Sequence, residues 1–408
     1  MGSPELIIIG GGPAGISTAL HVASSSPALA ERTVVLEKER YPRDKFCAGA
    51  IGMRAITALS ALGVRLTPDV VPRVPIDAFS FAAAGERWVV REPGIGWVVR
   101  RAELDHALAN EAIARGIRIR EGTAVLGVES GADGVRVKLA NGDTLLARAV
   151  VGADGVGGPV RRTSGLPRGH LRAQAVELDT EILPDDPPRD ALHFDFEAST
   201  LRGYAWDFPT LVDGVPKVCR GVYRVVPGPG DRDDARERLA RFVADKGLDI
   251  ASYRVKQLAE RGFDPREPIS KPRVLLVGES AGIDLATGEG IAQAIQYGAL
   301  AGAYLARAFR AGDLSFGDWL ATVHADGLGH QLRARLWAYG RFFGDDRRAM
   351  ERVIRRSSGA LRVGMRNWAG KPNDKVAWVR ALADLGPALL EHGPSLVLRT
   401  LRSLRARR

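Results

Sequence analysis

Two rhythms of apolar residues alternate along this chain and divide it into segments. Glu5–Ile9 is a short apolar run ending in glycines, Ala14–Ala23 follows with helical spacing, and Thr33–Leu36 is a second, β-branched run. That order predicts a β–turn–α–β unit of the usual ~30 residues, its strands covered on both faces. Arg54–Leu62 reads as a helix stopped by Gly63, and Ala102–Ala114 as an amphipathic helix closed by Arg115-Gly116. Phe79–Ala83, Arg87–Val90 and Gly96–Val99 read as short extended pieces. Several short strands are expected between Ile117 and Leu146, with Asn141-Gly142 as a hairpin turn, and Ala149–Val151 is another buried strand.

From Ala173 to Val226 the alternation has period two. Ala173–Ile182, Ala191–Phe196, Tyr204–Phe208 and Val218–Val226 are punctuated by Pro and Gly, the mark of an antiparallel sheet. Asp231–Asp245 and Ser252–Arg261 are expected to be helices, Val274–Val277 a buried strand, and Gly290–Arg310 a long helix. Beyond Leu314 the pattern is helical, with breaks near Gly344-Asp345, Pro372 and Gly393-Pro394. The expected architecture is α/β. A Rossmann-type nucleotide-binding domain is assembled from residues 1–75, 98–165 and 270–312. An antiparallel-sheet substrate domain (76–97 and 166–269) interrupts it, and a helical C-terminal region (313–408) follows.

Composition changes this picture only at its edges. A chain of 408 residues, 45% hydrophobic and 26% charged, is an ordinary globular protein too long for one simple core. Cys47 and Cys219 have no CxxC or metal spacing, which suits a reducing compartment, and the histidines form no HxxxH or HExxH, so no protein-ligated metal is expected. No apolar run approaches the ~18 residues of a membrane span and no leader is evident, so a cytoplasmic location is expected. The net charge of +10 is densest at Arg399, Arg402, Arg405, Arg407 and Arg408. No aromatic residues interleave there, so no nucleic-acid partner is expected. The run reads as a solvated basic tail, with peripheral contact of the basic C-terminal helices at a membrane as the alternative.

The chemistry begins at Gly10-Gly11-Gly12-Pro13-Ala14-Gly15, a GxGxxG turn at Gly10, Gly12 and Gly15 between a strand and a helix. The first glycine permits the turn, the second lets a pyrophosphate approach the backbone, and the third lets helix pack on strand. Phosphate then meets the free N–H groups of the helix N-terminus, with Pro13 and Ala14 in its first turn. Glu37, followed by Lys38, closes the second strand and can accept from a ribose diol. Far away, the strand at 274–277 runs into Gly278-Glu279, and Thr287-Gly288-Glu289-Gly290-Ile291 opens the long helix. NAD needs no such second half, whereas a flavin does: Glu279 would meet ribityl hydroxyls and the helix N-terminus at Gly290 would stabilise negative charge on the reduced ring.

These residues resemble the large group of FAD enzymes that includes aromatic-ring hydroxylases, flavin halogenases and geranylgeranyl reductases. The resemblance spans about residues 4–312 and rests on Gly10–Gly15, Arg101-Ala102-Glu103-Leu104-Asp105, Gly152–Gly155 and Val277–Ile291. It implies a discontinuous, GR2-like FAD domain, with Arg101 at the FAD phosphates and Asp154 in a motif tied to the nucleotide and NAD(P)H region. Within the group, Tyr41–Ala50 resembles the PRxKxCGG segment of geranylgeranyl reductases and Gly203–Pro209 their GYxWxFP motif. Three departures are Ala48 for a glycine, Thr210 where a lysine is usual, and Glu279 for an aspartate.

The resemblance implies reduction of C=C bonds in a prenyl or other lipophilic substrate. Such a reduction needs a hydride and a proton, and Cys47 and Tyr204 are candidate donors, with Cys47 and Ala48 also beside the cofactor. Tyr204 and Trp206 share one strand face and would line an apolar pocket, although core packing explains them equally well, as burial of a small hydrophobe explains Cys47. His193 receives no role. With no second GxGxxG, NAD(P)H either docks transiently at the flavin or is replaced by a protein donor. The alternative activity is a monooxygenase (hydroxylase or epoxidase) or halogenase acting on a lipophilic or aromatic secondary metabolite. A non-catalytic or nucleic-acid-modifying flavoprotein rests on the basic charge alone.

Overall fold

The computed structural model describes residues 3–83, 85–197, 201–226, 233–343, 347, 351, 355, 357–373 and 375–383. The chain opens with β1 (Leu6–Ile9), α1 (Pro13–Ser25), a single turn α2 (Pro27–Ala30) and β2 (Thr33–Leu36). Next come β3 (Ala50–Gly52), α3 (Met53–Ala61), the long β4 (Arg73–Ala83) and β5 (Glu86–Val99), and α4 (Arg101–Ala114). β6 (Arg118–Arg120), β7 (Val125–Gly131), β8 (Gly134–Leu139), β9 (Thr144–Ala147), β10 (Ala149–Gly152) and α5 (Pro159–Thr163) complete the first half. The second half begins with β11 (Arg172–Thr180), β12 (Ala191–Asp195), β13 (Gly203–Val212), β14 (Val215–Val226), α6 (Ala235–Ala244) and β15 (Lys256–Arg261). It ends with β16 (Ser270–Lys271), β17 (Val274–Leu276), α7 (Ile291–Ala311), α8 (Trp319–Ala325), α9 (Gly327–Phe342) and α10 (Ser358–Ala369).

Six strands in the order β16-β17-β10-β1-β2-β6 make the nucleotide sheet, parallel except at β16–β17. β1, β2 and β10 are buried at every position, as strands with both faces covered must be. Eight strands in the order β15-β11-β14-β13-β12-β4-β5-β3 form a second sheet, antiparallel apart from β12–β4. One face of it carries Phe81, Leu192, Tyr204, Trp206, Phe208 and Tyr223 toward Phe343 and Met365. The other carries Val176, Leu178, Ala205 and Val222 against Leu239 and Val243 of α6. A small third sheet, β7-β8-β9, contains the expected turn, with Gly142 at φ +91°.

The sheet corrects two expectations. Ser252–Arg261 is not a helix: after one 3-10 turn at Ile250–Ser252, β15 pairs antiparallel with β11. Its residues are mostly good helix formers, but Lys256, Leu258 and Glu260 alternate inward against exposed Gln257 and Ala259, and ladder pairing decides the outcome. The three short pieces at 79–99 are instead the long hairpin β4–β5. Its register shifts between Ile76 and Ala78, where the opposite residues jump from Gly96 to Arg91, and this irregularity takes up Pro93-Gly94. After Leu314 the described residues are mostly helical, as expected, with a further break at Asp326, whose carboxylate caps α9 through the Leu328 N–H at 2.8 Å. Pro372 lies between α10 and a helical turn at 375–383. The expected breaks at Gly344-Asp345 and Gly393-Pro394 and the terminal arginines lie outside the described residues. No described helix is long and apolar enough to cross a membrane.

Candidate active site

At the end of β1, Gly10 turns the chain at φ +105°, and a Cβ there would lie 2.3 Å from the Ala153 carbonyl oxygen. Gly15 faces the same crowding, with a Cβ 1.9 Å from the Gly10 oxygen. Gly12 differs. It is the N-cap of α1, no side chain caps the helix, and a Cβ would find only the tips of Arg101 Nη2 at 3.7 Å and Arg43 Nη2 at 3.8 Å. An open helix N-terminus flanked by two guanidinium groups is an anion seat. Asp105 holds Arg101 through two bonds, at 2.7 and 2.6 Å, and holds Arg43 at 3.0 Å. Arg43 also reaches Glu37 at 3.2 Å, and Glu37 accepts the N–H groups of Gly11 and Glu39 at 2.8 and 3.0 Å.

Sequence reasoning singled out Arg101 and Glu37 here but missed Arg43, Asp105 and Tyr41, whose hydroxyl donates to the Gly11 carbonyl. The Tyr41–Ala50 segment was their signal. The cofactor expectation there named only Cys47 and Ala48, whereas the first half of the segment folds over the glycine turn. Lys38 points away, its side chain 71% exposed and paired with Glu39. Asp154 accepts from the Val160 N–H and the Ser280 hydroxyl, each at 2.8 Å, and so ties α5 to the Gly278 turn. Burial raises its pKa against those two hydrogen bonds.

The Gly278–Ile291 half folds against the α1 turn. Gly278, at φ +60°, brings its turn against Ala14, to whose Cβ a Cβ at 278 would approach within 2.7 Å. Glu279 pairs with Lys45 at 3.5 Å. Gly288 takes φ +67° against the Tyr223 ring, and Gly290 begins α7 without a side-chain cap, directly before buried Ile291. The Cys47 thiol accepts from the Gly49 N–H at 3.4 Å; burial raises its pKa, opposed by Arg101.

Between the eight-stranded sheet, the turn before α7 and the C-terminal helices lies a cavity of about 590 Å³. Cys47–Ala50 and Ala286–Ile291 border it on one side, Phe194, Tyr204, Trp206 and Tyr223 on another, and Phe342, Met365 and Trp368 on a third. The Tyr204 hydroxyl donates to the Thr287 carbonyl and its ring stacks on Tyr223 at 5.3 Å, which anchors the glycine turn to the sheet. Trp206 fills the space over Gly221, where a Cβ would meet the indole at 2.1 Å. His193 lies buried beneath the strand beside Ser80 at 3.0 Å, and burial pushes its pKa down to about 4. Two buried carboxyls on the cavity wall escaped sequence reasoning: Glu177, and Glu260 on the misread β15. Elsewhere His170, Asp264 and Glu267 converge within 4.8 Å, but Arg161 and Arg266 pair with the two carboxylates at 2.8 and 3.3 Å.

Residues 4–315 match the family model of the FAD binding domain. The chain belongs to that family. FAD is therefore the dinucleotide, and the protein is an FAD-dependent oxidoreductase. The residues fit the group: Gly12 and the α1 N-terminus with Arg43 and Arg101 suit the pyrophosphate, and Glu37 a ribose. Gly288–Ile291 and the α7 N-terminus suit the flavin end. The chain is 30% identical over 300 residues to a rifampicin monooxygenase of Streptomyces venezuelae, covering 70% of this chain and 60% of that enzyme. It is 27% identical over 332 residues to digeranylgeranylglycerophospholipid reductase 1 of Methanothermobacter thermautotrophicus, covering 76% and 79%. In fold it resembles a geranylgeranyl bacteriochlorophyll reductase-like protein of Thermoplasma acidophilum, with a TM-score of 0.72 and 19% identity over 96% of this chain and 98% of the other.

Proposed function

We propose that this FAD enzyme reduces carbon–carbon double bonds of a prenyl or other lipophilic substrate, with NAD(P)H as the electron source. The aromatic cavity carries the reading. It adjoins the Gly288–Ile291 turn and the Cys47–Ala50 segment, and its walls offer a substrate chiefly apolar contact. Each buried CH2 of a prenyl chain gains roughly 0.8 kcal/mol there, which holds a chain without polar handles. Reduced FAD supplies a hydride. The helix N-terminus at Gly290 presents its positive end to negative charge, and the Tyr204–Thr287 bond keeps that turn in place. The similarity to a digeranylgeranylglycerophospholipid reductase supports the same reading.

A second reading, oxygen insertion into a lipophilic or aromatic metabolite, is favoured by the 30% identity to a rifampicin monooxygenase. Anaerobic stopped-flow separates the two. Enzyme reduced with NADPH or dithionite should be reoxidised by an alkene without oxygen. Turnover only in air, with an oxygen atom in the product, would overturn alkene reduction. A peripheral membrane location suits such a substrate and is supported by Val376, Trp378, Val379 and Leu382, exposed on the last described helical turn ahead of the terminal arginines. Sedimentation with anionic vesicles tests it: a chain ending at Asn373 should no longer bind them, and equal binding would remove the idea.

A further inference from the structure

We propose that Glu177 is the acid that protonates the substrate carbon, a role that rests on the alkene-reduction reading above. Glu177 stands on β11 opposite Gly221 of β14, in the place where the Trp206 indole fills the glycine's space. Its side chain lines the cavity together with Cys47 and is 1% exposed. Oε2 accepts from the Cys219 thiol at 3.7 Å, whereas Oε1 has no hydrogen-bond partner among the described residues. A buried carboxyl oxygen without a partner is tolerable when the group is neutral, and a neutral carboxyl is a proton donor.

The charges around Glu177 permit this. Lys256 of β15 and Arg100, just before α4, are both engaged by Asp179, two residues along β11, at 2.7 and 3.1 Å. Among the described residues, Cys219 of β14 and Cys47 also face it. Burial pushes the Glu177 pKa up to about 7, Lys256 opposes the rise, and Asp179 adds to it. An acid poised near the working pH both gives and regains its proton readily.

The other donors are less suited. The Tyr204 hydroxyl is committed to the Thr287 carbonyl, and burial raises the Cys47 thiol above its ordinary value. Glu260 sits opposite Ala173, not beside Glu177. It is four residues along β15 from Lys256, the residue paired with Glu177, and so lies about 13 Å along the sheet. Its Oε2 lies 3.5 Å from where a Cβ at Gly288 would stand. Burial, with Glu279 and Asp284 adding to it, raises the Glu260 pKa well above the carboxylate range, so it holds its proton too tightly to be the better donor.

In the step, the alkene π bond breaks. One carbon receives the hydride of reduced FAD, with its two electrons. The former π pair forms the second C–H bond by taking the proton of the Glu177 O–H. Glu177 is left as carboxylate, FAD is left oxidised, and the carboxylate regains a proton from solvent.

The test uses FAD-loaded enzyme, reduced anaerobically and mixed with geranylgeraniol. In the wild type the reoxidation rate should hold below pH ~7 and fall about tenfold per pH unit above it. Glu177→Gln should be at least ~100-fold slower, the low end of general-acid catalysis, and without that pH break. Infrared difference spectra of the resting wild type should show a protonated carboxyl band that vanishes as pH passes 7 and is missing from the variant. That readout needs no turnover. A wild type that reacts alongside an equally fast Glu177→Gln overturns the proposal alone, as does a resting enzyme without the band. A wild type inert to alkenes removes the alkene reading and this role with it.

Discussion

Gly12 and Gly15 lie three residues apart in the same turn, yet alanine should act differently at each. At Gly15 the new methyl would stand 1.9 Å from the Gly10 carbonyl oxygen, a backbone atom that cannot swing aside. The α1 start must then lift from the β1 end, and the apo-protein should lose about 2–3 kcal/mol in a urea titration. At Gly12 the backbone is extended, at φ −79° and ψ −177°, and the nearest atoms are guanidinium tips in ordinary contact. Apo stability of Gly12→Ala should change by less than ~0.5 kcal/mol, while FAD affinity falls at least ~10-fold because the methyl stands where the pyrophosphate approaches. If Gly12→Ala lost stability but kept its affinity for FAD, the open seat at Gly12 would be misassigned. These glycines could be read from the sequence because their reasons are local, a turn and a helix start. Arg43 could not, because what makes it a phosphate-side residue is Asp105, which lies on another element and holds Arg43 and Arg101 together.

Elements carry that turn to the flavin. α1 and α7 lie against each other at Gly298 and Gly302, where a Cβ would come 2.4 Å from Ser17 Cβ and 2.3 Å from His21 Cβ. The Ser17 hydroxyl donates to the Ile295 carbonyl at 2.9 Å across the same contact. This packing fixes the distance between two helix N-termini, at Gly12, which suits the pyrophosphate, and at Gly290, which suits the flavin end. Gly298→Ala should therefore cost about 1–3 kcal/mol by overpacking and also weaken FAD, measured by urea midpoint and flavin fluorescence titration. An unchanged midpoint would mean the helices separate without strain. At this scale the periodic segments of the nucleotide domain were legible, since parallel strands and their helices have strong apolar patterns. β15 was not, because Lys256-Gln257-Leu258-Ala259-Glu260-Arg261 favours helix locally and only its pairing with β11 reveals the strand. That error also concealed Glu260.

The cavity belongs to the whole molecule, and it is where local reading stops. Its wall joins the Cys47 segment, the inward face of the eight-stranded sheet, the Gly288 turn and helices α9 and α10, all far apart in sequence. Arg335 of α9 is fastened to Asp284 at 2.8 Å and to Glu289, so the helical cover is tied to the flavin-side turn. α10 reaches over the sheet through Trp368. A Cβ at Gly52 would meet its ring at 3.1 Å and one at Gly96 at 2.6 Å, and Phe79 lies 5.4 Å away. The glycines of β3 and β5 thus make room for an indole that bounds the cavity. Trp368→Ala removes that wall without touching Gly12, Arg101 or the α7 N-terminus, so FAD content should be retained. A lipophilic substrate losing the contact forfeits about 1.5–3 kcal/mol, and its KM should rise roughly 10–100-fold. The variant should in return accept bulkier alkenes. An unchanged KM for long prenyl chains would show that substrate does not reach α10 and would confine the binding site to the sheet.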